Sequence, residues 1–194
     1  DQQREAFFYI CDRLPRFRAG KLDARGNGQY LGEKAMQKYG ATLIEQVIPC
    51  IAGRGLKVSV IKHTHHAFDV DKPGKDSWRH REAGASEILL ISDKRWVLMH
   101  ELRGDPEPDL AAQLAIMSPC DLVLVEGFKS VHIPKIEIHR PAHGRPLLYP
   151  DNPAVVAVAT DAAPDALPGL PLPRLDLNDP AAVADFILRH QGLT

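Results

Sequence analysis

A short apolar segment runs directly into cations, imidazoles and carboxylates between residues 57 and 77. Residues 58–61 are rich in β-branched side chains, the composition of a buried strand. In an open α/β sheet, ligands bind outside the carboxyl ends of the strands. The polar residues that follow therefore predict an active edge, and they are Lys62, His63, Thr64, His65, His66, Asp69, Asp71, Lys72, Lys75, Asp76 and Ser77.

Three lysines of this stretch are the natural contacts for an anion. Lys62 ends the predicted strand, whereas Lys72 and Lys75 flank a Pro-Gly pair. A Pro-Gly pair is typical of a tight turn, so we expect it to bring both lysines back toward the edge. The combination favours a small anionic ligand such as a phosphate.

The acidic residues of the stretch allow two interpretations. Asp69 and Asp71 either bind magnesium or pair with the neighbouring lysines, and exposed pairs of that kind add little stability. Asp76 or Ser77 is predicted to cap a helix that begins near Trp78.

The histidines also admit two interpretations. On an extended backbone His63 and His65 share a face and His66 lies opposite. Two histidines on one face, with Asp69 or Asp71, form a candidate transition-metal site. We favour the alternative in which they act as ordinary hydrogen-bond donors.

A second polar cluster follows residues 122–125, which are apolar throughout and predict a strand buried on both faces. Glu126 stands at its end, where a carboxylate reaches magnesium or polarises a water. Gly127 allows a sharp backbone turn there. The alternative is a strand-end glutamate that bonds only to nearby backbone N–H groups.

Composition limits the class of protein. The chain has 194 residues, 44% of them hydrophobic, and a formal net charge of −1, which argues against a broad nucleic-acid face. Cys11, Cys50 and Cys120 form no CxxC pair, so a disulfide framework or a zinc ribbon is not expected. No apolar run reaches membrane-spanning length, and we expect a cytoplasmic protein.

Apolar periodicity predicts alternating helices and strands, and therefore an α/β fold with three layers and a mostly parallel sheet. The alternation of residues 134–140 predicts a half-exposed edge strand, available to pair with a second copy. The predicted helices span residues 2–14, 43–51, 78–85, 110–117 and 179–190, and the predicted strands span 56–61, 88–91, 96–99, 121–125, 134–140 and 155–159.

The motifs IKHTHHAFDVDKPGKDS, LVLVEGFK, PKIEI and AVATD together resemble the molybdopterin-guanine dinucleotide biosynthesis protein B (MobB) family. The resemblance covers about residue 42 to the C-terminus. It implies a P-loop NTPase-like fold, a homodimer, and binding of GTP with Mg²⁺. It also implies assistance to the molybdenum cofactor guanylyltransferase that attaches GMP to molybdopterin.

The resemblance implies roles for individual residues, with Glu126 as the catalytic carboxylate and Asp69, Asp71 and Glu126 as Mg²⁺ contacts. The implied nucleotide or phosphate contacts are Gly40, Thr42, Lys62, His63, Thr64, Lys72, Lys75, Asp76, Gly127 and Lys129.

The family's phosphate-binding loop, G-x-x-x-x-G-K-[ST], occurs nowhere in this chain. We therefore divide the chain into an atypical segment, residues 1–41, and a MobB-like domain, residues 42–194. The segment is a natural divergence, a chimeric or mis-assembled replacement of the first strand and loop, or a region in which Lys34 or Lys38 substitutes for the missing lysine. We favour the replacement.

Without that lysine, tight triphosphate binding and hydrolysis are weakened. We expect an accessory GTP-binding protein with weak GTPase activity at most. The alternative is a non-catalytic dimeric interaction module with a degenerate nucleotide pocket, and a third option is a metal-binding protein that uses His63, His65 and His66.

Overall fold

The computed structural model describes residues 6–12, 42–64, 68–127 and 131–193, and for residues 6–12 it describes the backbone alone. The chain divides into two compact units. The larger contains residues 1–63 and 119–194, and the smaller contains residues 64–118. Within the described ranges, no helix combines the length and the apolar character that crossing a bilayer requires.

The larger unit is built on a six-stranded sheet in the order β2-β5-β1-β6-β7-β8. Each described pairing in this sheet is parallel, which confirms the predicted mostly parallel α/β class. In chain order its strands are β1 (Ala6–Asp12), β2 (Val58–Lys62), β5 (Leu122–Glu126), β6 (Lys135–His139), β7 (Val155–Thr160) and β8 (Arg174–Asp176).

Strand β1 corrects the sequence prediction, because residues 2–14 were expected to form a helix. Instead Ala6–Asp12 is an interior strand that pairs with β5 on one side and β6 on the other. Its aromatic and β-branched residues favour an extended backbone, and two flanking strands satisfy its hydrogen bonds. Residues before 42 therefore supply an interior strand to the sheet of the larger unit.

Helices α1 (residues 42–52) and α4 (Pro180–Gln191) cover the sheet with apolar side chains. Helix α1 continues past Pro49 to residue 52, where the Gly53 N–H donates to the Pro49 carbonyl at 2.9 Å. The predicted start of α4 is confirmed, since Asp179 caps it by accepting from the backbone N–H of Ala182. The core they enclose includes Leu43, Val47, Ile51, Leu122, Leu124, Ile136, Ile138, Val183 and Ile187.

The prediction that residues 134–140 form a half-exposed edge strand is wrong. Strand β6 lies between β1 and β7, and all five of its residues are buried. Its polar side chains have internal partners: the Glu137 carboxylate accepts from the backbone N–H groups of Leu148 and Tyr149 at 2.6 and 3.0 Å. The alternation therefore reports two buried faces of different polarity, and β2 and β8 are the edges of this sheet.

The smaller unit contains a helix, an antiparallel hairpin and a second helix. The hairpin confirms two predicted adjacent strands. These elements are α2 (Asp76–Glu82), β3 (Glu87–Ile91), β4 (Trp96–His100) and α3 (Leu110–Ile116). Short 3₁₀ turns of the larger unit are Pro141–His143, Tyr149–Asp151 and Pro164–Ala166.

The start of α2 differs from the prediction that Asp76 or Ser77 caps it. Lys75 occupies the N-cap position with an extended backbone, and its side chain makes no capping hydrogen bond. Asp76 is already helical and lies in the first turn, where a negative charge is favourable near the exposed N–H groups.

Candidate functional site

The carboxyl ends of β2 and β5 bring a lysine and a glutamate together. Lys62 and Glu126 are direct partners in the parallel register, and Lys62 Nζ lies 3.4 Å from Glu126 Oε1. The next backbone step extends this pairing, since the His63 N–H donates to the Glu126 carbonyl at 2.8 Å. His63 and Glu126, each at the end of a predicted strand, therefore meet at one edge of the sheet.

Gly127 completes the turn at this edge, and its geometry leaves no room for a side chain. Its φ is +100°, in the left-handed region. A Cβ at this position would stand 2.6 Å from the His63 carbonyl oxygen. Glycine is therefore required for the backbone of residue 127 to pass so close to residue 63.

The Lys62–Glu126 pair sets the electrostatics of the edge. The lysine side chain is half-exposed and the glutamate is mostly buried, so the carboxylate is the fixed member of the pair. The half-exposed ammonium can also contact a second anion such as a phosphate oxygen, whereas the mostly buried carboxylate keeps its position. Strand β1 ends at the same edge, with Ile10 beside Glu126 in the register.

The acidic residues of the smaller unit surround Arg81. Its Nη2 lies 3.1 Å from one carboxylate oxygen of Asp71 and 3.1 Å from Asp69, and its Nε lies 3.9 Å from Glu101. Burial lowers the pKa of the Arg81 guanidinium, but the hydrogen bond and charge of Asp71, with Asp69 and Glu101, outweigh burial and raise it. Arg81 therefore stays protonated and fixes the two aspartates.

The predicted turn at the Pro-Gly pair is confirmed. The Lys75 N–H donates to the Lys72 carbonyl at 3.1 Å, and Gly74 has a φ of +83° as the third residue of the turn. Lys72, Lys75 and Asp76 are all exposed. Both lysine side chains therefore project from a hydrogen-bonded turn in which Pro73 fixes its own φ and Gly74 permits the positive φ.

The described residues test only part of the magnesium assignment. They contain no group of three or more His, Cys, Asp or Glu side chains that could hold a metal ion. Asp71, only 2% exposed, faces Arg81 and is a poor ligand in this geometry. Glu126, whose partner Lys62 is half-exposed, would be the better ligand.

Some of the predicted site residues lie outside the described part of the chain, and two others lie at the ends of described segments. Gly40, Lys129, His65 and His66 lie outside the described residues. Thr42 is the first described residue of α1, and Thr64 is exposed and begins the smaller unit.

A second polar pair ends strands β6 and β7. Arg140 Nη1 lies 2.9 Å from Asp161 Oδ2, and the buried Thr160 hydroxyl accepts from the Ala162 N–H. Asp161 and Thr160 therefore have partners within the larger unit.

Sequence reasoning missed Arg81, which was not among the candidate site residues. The helical register held a signal, because Arg81 lies three residues after Trp78 on the same side of α2. Trp78 and Arg81 are partly buried, whereas Arg79 and His80 between them are exposed. An arginine on the less exposed side of a helix requires an acidic partner.

Comparison with known proteins agrees with this architecture. The family described as "Molybdopterin guanine dinucleotide synthesis protein B" (MobB) matches residues 34–161. The molybdopterin-guanine dinucleotide biosynthesis adapter protein of Haemophilus influenzae is 46% identical over 146 residues, 75% of this chain and 79% of that protein. Its Escherichia coli counterpart is 43% identical over 150 residues, 76% of this chain and 83% of that protein.

A crystal structure of molybdopterin-guanine biosynthesis protein B superposes with a TM-score of 0.64 at 18% identity, covering 96% of this chain and 99% of that one. This likeness supports the predicted P-loop NTPase-like α/β fold. A separate short match, 49% identical over 45 residues, is to a probable terminase large subunit gp28 of Escherichia phage Mu and covers 23% of this chain and 8% of that protein.

The family match spans most of the chain, and relatives above 40% identity cover three quarters of it. The chain belongs to the MobB family.

Proposed function

We propose that this protein is an accessory GTP-binding protein of molybdopterin-guanine dinucleotide formation. The relatives' names as biosynthesis adapter proteins support the pathway. The observation that carries the nucleotide part is the Lys62–Glu126 pair at the carboxyl ends of two parallel strands. A cation and a carboxylate at that edge suit a ligand that combines phosphate with magnesium.

Individual roles follow from the chemistry of each side chain. Lys62 contacts phosphate, and Glu126 holds Mg²⁺ or orients a water. Lys72 and Lys75 contact phosphate of the nucleotide or of molybdopterin. The sequence lacks the phosphate-loop lysine that stabilises developing charge, so hydrolysis is weak or absent.

Replacing Glu126 with alanine tests the nucleotide role. We expect the affinity for GTP in the presence of Mg²⁺ to fall about tenfold, equivalent to about 1.4 kcal/mol, because the magnesium loses its protein carboxylate. Isothermal titration calorimetry with and without Mg²⁺ measures this change. Asp165→Ala, which removes an exposed loop carboxylate, is the control. If wild-type protein gives no binding heat at high GTP, the nucleotide part of the proposal is overturned.

The missing phosphate-loop lysine favours a second candidate function. In this alternative the protein is a dimeric interaction module that engages the guanylyltransferase without nucleotide. A pull-down of purified guanylyltransferase with and without GTP separates the two, because a strictly GTP-dependent complex contradicts the module.

We also propose that the protein is a homodimer that pairs through the hairpin. One face of β3 and β4 presents four neighbouring apolar side chains to solvent: Leu89, Ile91, Trp96 and Leu98. Ile91 is 73% exposed and Trp96 60% exposed, and contiguous apolar patches of this kind mark interaction sites. This face replaces the β6 edge predicted from the sequence.

The double substitution Ile91→Asp with Trp96→Asp is expected to raise the dimer dissociation constant about 100-fold, because each copy loses two large apolar contacts. Sedimentation equilibrium measures the constant. Lys94→Asp introduces the same acidic residue at the exposed turn of the hairpin and serves as the control. A wild-type monomer, or a dimer unaffected by the double substitution, argues against this interface.

Residues 1–41 remain a proposed atypical segment; since Ala6–Asp12 supplies an interior strand, the proposed replacement concerns the phosphate-binding loop. The family match begins at residue 34, so most of this segment precedes it. Sequencing the source DNA across residue 41 tests this proposal. A continuous reading frame that every isolate shares contradicts a mis-assembled join.

A further inference from the structure

We infer that Arg81 is a positioning residue that holds the turn at residues 72–75 so that Lys72 and Lys75 meet the phosphate of a bound ligand. This inference rests on the proposed binding of GTP. It concerns a contact within the smaller unit.

The geometry of the Arg81–Asp71 ion pair fixes the orientation of the carboxylate. Arg81 Nη2 approaches Asp71 Oδ1 at 3.1 Å while Nε approaches Oδ2 at 3.4 Å, so two donors of one guanidinium contact both oxygens of one carboxylate. The Asp71 side chain is 2% exposed and the Arg81 side chain 17% exposed. A planar fork fixes the direction of its partner, which a single ammonium does not.

The Arg81–Asp71 contact closes residues 71–81 into a loop that contains Lys72 and Lys75. Asp71 immediately precedes the turn and Arg81 lies in the helix that immediately follows it, so the contact joins both ends of the segment. Apart from the bonds internal to α2, the described backbone bonds of that loop are Lys75 N–H to Lys72 and Arg79 N–H to Lys75. Without Arg81 the turn is held at one end only.

The loop exposes the side chains of Lys72 and Lys75 to solvent. Among the described residues, neither Lys72 nor Lys75 forms an ion pair, so their charges are available to an anion. Asp71, by contrast, is committed to Arg81. This division makes Asp71 an anchor and the lysines the contacts, and it removes Asp71 from the candidate magnesium ligands.

Arg81→Gln and Arg81→Lys test the inference in the full chain, with GTP and guanosine as probes. We expect the dissociation constant for GTP to rise about tenfold in Arg81→Gln and about threefold in Arg81→Lys, which keeps the charge but loses the fork. Guanosine, which carries no phosphate, is expected to change less than about twofold. Isothermal titration calorimetry gives both constants.

The double variant Lys72→Ala with Lys75→Ala provides the decisive background. If Arg81 acts through the lysines, adding Arg81→Gln to that variant changes GTP binding no further. An equal additional loss there, or equal losses for GTP and guanosine, shows a merely structural role and overturns the inference.

Amide hydrogen exchange at Lys75, whose N–H donates to Lys72, reports the turn without any ligand. We expect its exchange to accelerate about tenfold in Arg81→Gln. Unchanged exchange contradicts the anchor. If wild-type protein binds GTP and Arg81→Gln binds it equally well, only this inference fails; if wild type binds no GTP, the proposed function fails with it.

Discussion

Replacing Gly127 with alanine is expected to lower the free energy of unfolding by about 3 kcal/mol. A left-handed backbone costs an L-residue about 1–2 kcal/mol, and φ at this position is +100°. The added methyl group would also stand 2.6 Å from the His63 carbonyl oxygen, and relieving such an overlap costs about 1–3 kcal/mol. Relief requires the ends of β2 and β5 to separate, so the Lys62–Glu126 pair is also expected to weaken.

Gly55→Ala is the matched control for this prediction. Gly55 also has a positive φ, +83°, but an added Cβ there meets nothing within 4 Å. We expect it to cost about 1–2 kcal/mol, the conformational part alone. Urea denaturation of the wild type, Gly127→Ala and Gly55→Ala measures the free energy of unfolding of each protein. Equal losses in the two variants indicate that the close approach of residues 63 and 127 has no energetic consequence.

The sequence predicted the edge of the sheet because its signals are local. An apolar strand that ends in Glu126 and Gly127, and another that ends in Lys62, each specify a strand and its polar end. Parallel strands place like ends together, so the meeting of Glu126 with His63 followed from the class of fold. The cap of α4 was equally local, since Asp179 and Pro180 are adjacent.

The remainder depends on partners distant in sequence. Strand β1 looked helical on its own, and the ladders of β5 and β6 decide otherwise. The sequence predicted the turn between Asp71 and Arg81, but not that these two side chains meet across it. Side-chain alternation in β6 shows two different faces but does not show whether another strand covers its edges.

Glu137 is a buried charged residue of strand β6 whose carboxylate has hydrogen-bond partners. Its removal is expected to have the largest effect on stability. Glu137 is only 1% exposed, and its two carboxylate oxygens accept from the backbone N–H groups of Leu148 and Tyr149. Hydrogen bonds to a charged group contribute about 1.5–3 kcal/mol each. We therefore expect Glu137→Ala to lower the free energy of unfolding by about 4 kcal/mol.

Glu137→Gln separates the hydrogen bonds from the volume of the side chain. The amide keeps one acceptor oxygen and nearly the same size, so about half of the loss is expected, roughly 2 kcal/mol. Asp165→Ala, at an exposed carboxylate of the same unit, is expected to change stability by less than about 0.5 kcal/mol. Urea denaturation ranks the three variants. If Glu137→Gln costs as much as Glu137→Ala, the negative charge rather than the number of acceptors anchors the segment at residues 148–149, because the glutamine retains an acceptor but no charge.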